Sequence, residues 1–160
     1  MDIKEIERLA SQFRRGAEIA KDRDLFDKQP FLDFPNACCG DATELLAQYL
    51  LDYDKAIQCR YVYGVYRYDD FENIFGHAWL EVDGKIIVDI TADQRQFRNE
   101  RIFPASAAVP CYVGKKNAFY SLFEEDNRQC YRFYDLRCMP EVAYNRMKFL
   151  YDTIVSCMRV

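Results

Sequence analysis

An α+β fold is predicted by three features of the chain. Amphipathic helical spacing runs through the N-terminal residues, short aromatic and β-branched runs bounded by turn residues fill the middle, and a helical pattern returns after Pro140. Ile6, Leu9, Phe13, Ala17 and Ala20 recur every three or four residues, so residues 2–20 form the first helix. Residues 21–37, with Pro30 and Pro35, read as a surface loop. The second helix spans 39–52, with Ala42, Leu45, Leu46, Tyr49 and Leu50 as its apolar stripe. CRYVYGVYRY (59–68) is a strand, and 69–76 a loop. Residues 76–82 and 85–91 make a hairpin around Asp83-Gly84. Residues 92–108 hold one short helix and a loop, and 110–114 and 130–136 are further strands. Pro140 opens the last helix, with Val142, Met147, Leu150, Ile154 and Val155 as buried positions. No repeat or interior linker divides the chain, so the expectation is one domain over 1–160, with N-terminal helices packed on an antiparallel sheet and a C-terminal helix.

Composition narrows the function classes. Half of the 160 residues are hydrophobic and 16% are aromatic, which excludes a disordered chain. The net charge of −4, from 22 basic and 26 acidic residues, gives no basic field for nucleic acid. No run approaches the roughly 18 apolar residues of a membrane span, and the charged N-terminus is not a secretory signal. Seven irregularly spaced cysteines without such a signal fit free thiols in a reducing cytoplasm, or an effector delivered from it. There is no CxxC pair and one histidine, so no metal or other cofactor is expected.

That histidine, His77, limits any thiol mechanism to a single base. Cys38 and Cys39 sit where the second helix begins, and unpaired N–H groups at a helix start stabilise a thiolate. Cys39 abuts Gly40, where backbone can approach a substrate, and its own N–H is an oxyanion donor. It is the preferred nucleophile, with Cys38 as the alternative. In the hairpin, a three-residue loop Val82-Asp83-Gly84 pairs Glu81 with Lys85, Trp79 with Ile87 and His77 with Asp89. Ala78, Leu80, Ile86 and Val88 then form an apolar opposite face. A two-residue loop would send Asp89 to the wrong face. Directly opposed residues have Cβ atoms roughly 4.5–5.5 Å apart, within reach of a carboxylate–imidazole contact. Asp89 would then orient His77 as general base and acid. Trp79 shares the parity of His77 and either walls the site or packs in the core. Gln29, Asn36 and Gln94 are candidate second oxyanion or pocket residues, though loop solvation is the simpler account of each. The remaining cysteines, Cys59, Cys111, Cys130, Cys138 and Cys157, are expected in the core, and the tyrosines are expected to fill strands.

These residues resemble the transglutaminase-like branch of the papain-like cysteine enzymes. The resemblance rests on Cys39 at a helix start, His77-Ala78-Trp79-Leu80-Glu81, and Asp89-Ile90-Thr91, in the family's Cys, His, Asp order, and covers about residues 34–94. Ala37 stands where the family has glycine and Gly40 where it often has tryptophan. The resemblance implies a papain-like core and thioester chemistry on a peptide, protein or small amide. Hydrolysis as a protease, isopeptidase or amidase leads. Acyl transfer or deamidation, and a catalytically silent binding module, are the alternatives. The oligomeric state is left open.

Overall fold

The computed structural model describes residues 1–27, 30–69, 73–104 and 109–159. It is an α+β fold of four α-helices and a six-stranded antiparallel sheet. The elements are α1 (Ile3–Asp22), α2 (Cys39–Tyr53), β1 (Cys59–Arg67), β2 (Ile74–Val82), β3 (Ile86–Asp89), β4 (Tyr112–Gly114), α3 (Ala118–Ser121), β5 (Glu124–Glu125), β6 (Tyr131–Phe133) and α4 (Glu141–Cys157). Strand order is β4-β3-β2-β1-β5, and β6 pairs with the far end of the same β1 edge as β5.

The two sheet faces carry two cores. On one face Cys59, Leu80, Val82 and Val88 pack against α1, α2 and α4. α1 begins at Asp2, whose carboxylate accepts from the Glu5 N–H, and buries Ile6, Leu9, Phe13, Ala17 and Ala20. α4 contributes Met147, Leu150 and Ile154, all fully buried. Val142, expected among them, is 84% exposed, because it lies in the first turn on the face turned from α1 and α2. The other face holds a second, aromatic core of Val62, Trp79, Ile87, Phe97, Phe103, Phe119, Tyr120 and Phe123. It is covered by the 3-10 turn Arg95–Arg98, which stands in the 92–108 stretch where one short helix is expected, and by α3, a segment to which the sequence assigns no helix. Burial by alternation assigns His77 and Asp89 to this aromatic face.

The hairpin differs from expectation by two residues. Asp83 and Gly84 both have positive φ, 51° and 65°, and the Lys85 N–H closes the turn on the Val82 carbonyl. Two left-handed residues in succession are what the tight hairpin turn demands. Lys85 is then the extra residue, so Val82 pairs with Ile86, Glu81 with Ile87 and Leu80 with Val88. Glu81 does not pair with Lys85; it lies near Arg60 on β1 instead, at 3.6 Å. Extending the ladder sets Asp89 opposite Trp79 and diagonal to His77, not directly across from it. A two-residue shift keeps every side chain on its face, so Leu80 and Val88 remain buried against the helices and Ala78 stays buried.

Candidate active site

Cys39 is the first residue of α2. The chain reverses into the helix through Ala37, at φ 55°, and Cys38, which occupies the cap position without a side-chain capping bond. The first-turn N–H groups of α2 are therefore not capped by a side chain, and Asp41 in that turn is held by Arg146 at 2.5 and 3.1 Å. The Thr43 hydroxyl donates to the Cys39 carbonyl at 2.7 Å, which fixes the first turn.

The β2–β3 ladder ends at Leu80–Val88, and on the other edge of β1 the Tyr63 carbonyl is taken by Asp126. Beyond that end, the Ala78 N–H and the His77 side chain lie near enough to the Cys39 sulfur to interact with its charge. The His77 Nε2 stands 2.6 Å from Asp89 Oδ2, so the ring nitrogen facing Cys39 is Nδ1. Asp89 accepts four hydrogen bonds in all: from His77, from the Tyr120 hydroxyl at 3.0 Å, and from the Thr91 N–H and hydroxyl at 2.8 and 3.0 Å. Its lone pairs are fully used, which is what a buried carboxylate requires. His77 is fully buried among Trp79, Phe97, Phe119 and Phe123, with ring centroids 4.8–6.2 Å away. Cys39, by contrast, is partly open to solvent.

The electrostatics follow from this packing. Burial opposes charge on all three groups, and in each case their mutual interactions prevail. For Cys39, burial pushes the thiol up, but the His77 hydrogen bond and charge, with the Ala78 N–H, hold it below its ordinary value. For His77, burial pulls down, while the Asp89 charge and hydrogen bond, then Cys39, raise it to about 9. For Asp89, burial pushes up, and the His77 charge and the bonds from His77, Thr91 and Tyr120 pull it below the usual carboxylate range. Burial and the Asp89 charge push the Tyr120 hydroxyl well above the phenol range, so it is a permanent donor. The mutual interactions of the three groups shift the balance toward a thiolate–imidazolium pair anchored on a carboxylate.

Cys38 behaves differently. It is buried in the helix-side core, and burial raises its thiol further, with no imidazole to reverse the effect. Gln94, whose loop position gave little signal, places its amide nitrogen 3.3 Å from His77 Nδ1. That contact suits a neutral ring; once Nδ1 carries the proton, the amide must turn its oxygen inward. Asn36 is not aimed at the sulfur. Its Oδ1 accepts from the Arg95 N–H at 2.8 Å and its amide donates to the Asp33 carbonyl, tying the loop before α2 to the loop after Asp89. Gln29 lies outside the described residues. Gly40 faces Tyr61: a Cβ at Gly40 would come 3.1 Å from the Tyr61 hydroxyl. Trp79 is buried in the aromatic core beside His77, so it both packs and walls.

Three contributors had no sequence signal. Tyr120, in a four-residue helix, binds Asp89 across 31 positions. Arg14 of α1 is buried and donates to the carbonyls of Ile90 and Pro110 and to Asp93, clamping the segment that follows Asp89. Tyr61 borders the thiol from β1. The other cysteines are only partly core residues: Cys59 and Cys157 are buried, Cys111 and Cys130 half-buried, and Cys138 exposed in a turn. All seven are free thiols. No helix among the described residues is long and apolar enough to cross a membrane. No family model, no curated protein and no solved structure matches the chain.

Proposed function

We propose that the chain is a cysteine hydrolase of amide or isopeptide bonds, working through Cys39, His77 and Asp89 as a transglutaminase-like enzyme does. One observation carries the proposal: the only imidazole of the chain is anchored on Asp89 through Nε2, 2.6 Å away, and interacts with the Cys39 sulfur so as to favour its thiolate. The Cys39 thiolate attacks the carbonyl carbon, and the oxyanion is met by the N–H groups at the start of α2. His77 gives its Nδ1 proton to the departing amine, the C–N bond breaks, and a thioester remains. Water then attacks the thioester, His77 takes its proton, and the thiolate leaves as the carboxylic acid forms. Asp89 keeps the ring oriented and stabilises its cationic form throughout. The hydrogen bonds of Tyr120 and Thr91 fix Asp89 in turn.

The same thioester serves acyl transfer when an amine arrives in place of water. The test is to incubate the protein with activated acyl esters and with peptide amides, with and without a labelled primary amine, and to map adducts by mass spectrometry. A transient acyl group on Cys39, lost to water, is the expected result. Stable labelling of the amine reassigns the chain as a transferase. No acylation of Cys39 by any activated ester at neutral pH sinks both and leaves a binding module.

A further inference from the structure

The side chains that the sequence offers as a second oxyanion donor are committed elsewhere. Asn36 is bound to Arg95 and Asp33, and the Gln94 amide meets His77 Nδ1. Tyr61 of β1 is placed differently. It pairs with Leu80, two positions along β2 from Ala78, whose N–H lies near the Cys39 sulfur. Tyr61 shares the parity of Cys59, which packs on the helix side of the sheet. Tyr61 and Ala78 are therefore diagonal neighbours on one face, about 7–8 Å apart, a gap that an aromatic side chain spans.

The ring ends at the start of α2. A Cβ built on Gly40, the residue after Cys39, would come 3.1 Å from the Tyr61 oxygen. Glycine here leaves the hydroxyl room to lie against the first turn, where a side chain would press on it. Tyr131 holds the ring by stacking on it, with centroids 4.8 Å apart and planes 13° from parallel, and Tyr131 is itself tied to Glu44 of α2. The ring is fixed, yet among the described residues its hydroxyl forms no hydrogen bond and stays open to solvent. Burial, then the charge of Cys39, hold this phenol above its ordinary value, so it keeps its proton near neutrality. It is a free, positioned donor beside the nucleophile.

We infer that the Tyr61 hydroxyl is a catalytic oxyanion donor, acting with the Cys39 N–H. The inference rests on the cysteine-hydrolase proposal and adds a residue to it. As the Cys39 sulfur bonds to the carbonyl carbon, the π pair of the C=O moves onto oxygen. That oxygen accepts from the Cys39 N–H and from the Tyr61 O–H. When the pair returns, the C–N bond breaks and His77 supplies the proton of the amine, while Tyr61 keeps its own. A donor fixed before the reaction needs no reorganisation as the charge develops, and it binds the oxyanion more strongly than the neutral carbonyl.

The experiment compares two reactions of the same thiolate: acylation of Cys39 by 4-nitrophenyl acetate, which passes through an oxyanion, and alkylation by iodoacetamide, which does not. Both rates are measured in the intact chain and in Tyr61→Phe, with correction for spontaneous ester hydrolysis. The variant keeps the ring and its stack on Tyr131 and loses only the hydroxyl. Acylation should fall about a hundredfold, the lower end of the range for one lost oxyanion donor, while alkylation stays within about twofold. The ratio of the two rates is the readout, so a change in the thiolate or in folding cancels. A ratio that matches the wild type within about twofold overturns the inference, whether both rates hold or both fall. If iodoacetamide alkylates Cys39 in the wild type but no activated ester acylates it, the hydrolase proposal itself fails, and the role of Tyr61 with it.

Discussion

Replacing Asp89 by Asn tests the site at its anchor. The side chain keeps its shape and loses its charge. His77 is raised from 6.5 to about 9, and the Asp89 charge and hydrogen bond are the largest contributions in that direction. At 1.36 kcal/mol for each pKa unit, the net stabilisation of the imidazolium is about 3 kcal/mol. Without Asp89, burial is the dominant influence on a ring with no solvent exposure, and His77 falls below its ordinary value. The thiolate loses its cation, and burial then holds the Cys39 thiol above its ordinary value. A thiol without a stabilising partner is ionised to at most about a few per cent at pH 7. The more basic thiolate is intrinsically more nucleophilic, with a Brønsted slope of about 0.4–0.5, so roughly half of the loss in logarithmic rate is recovered. The expected net fall in alkylation rate at pH 7 is about tenfold.

Iodoacetamide labelling followed by peptide mapping resolves Cys39 from the six other thiols, with a free cysteine peptide as the reference. In the wild type, the acid limb for Cys39 should lie below that of a free cysteine peptide, with a second inflection near pH 9 as His77 loses its proton. In Asp89→Asn that inflection should vanish and the acid limb should move up. A wild-type Cys39 profile that coincides with the free cysteine peptide, or an Asp89→Asn profile that overlays the wild type, would refute the ion pair.

The remaining expectations are simpler. Cys39→Ala should abolish rapid labelling at pH 7, whereas Cys38→Ala should leave it within about twofold, because Cys38 is buried in the core with its thiol raised; peptide-resolved labelling decides. Tyr120→Phe removes one of the four donors to Asp89 and should lower unfolding free energy by about 1.5–3 kcal/mol, the range for a hydrogen bond to a charged group, read from urea denaturation. In a Cys39→Ala background the thiol no longer titrates, but Asp89 still raises His77. The stabilisation from the imidazolium is then complete below about pH 6.5 and lost as pH rises through the folded pKa, with a slope of at most about 1.4 kcal/mol per pH unit. Urea midpoints that stay flat from pH 6.5 to 9.5 would contradict it.

The parts of the site that were legible in the sequence depend on local patterns. Helical spacing at Ile6, Leu9 and Phe13 defines α1, and Gly40 with the apolar stripe after it defines the helix that presents Cys39. Alternation together with the preferred three-residue loop placed His77 and Asp89 on one face. What stayed hidden joins segments that are far apart in the chain. Nothing at Tyr120 marks it as a partner of Asp89, because a helix of four residues spans barely one period. Arg14 falls inside an amphipathic helix and would be assigned to the solvated side, yet it is buried because three acceptors from the Ile90–Pro110 region converge on it. The tyrosines of β1 and β6 meet because both strands share an edge pairing, Tyr61 with Tyr131, that only the closed sheet creates.

The hairpin shows why a register two positions off the expected one still brings His77 and Asp89 together. Turn geometry is decided by which residues tolerate positive φ, and Asp83 and Gly84 are both competent; the extra residue therefore falls at Lys85, after the turn. Moving the extra residue from one side of the turn to the other changes the pairing by two positions, and two is the period of a strand. Asp89 consequently lands diagonal to His77, where a carboxylate on a strand end still spans the gap to 2.6 Å. A shift of one would have sent it into the helix-side core among Leu80 and Val88, unpaired and uncharged. The site thus depends less on any single cross-strand pair than on the parity of the hairpin, and parity is set by three residues, Asp83, Gly84 and Lys85, that never touch the thiol.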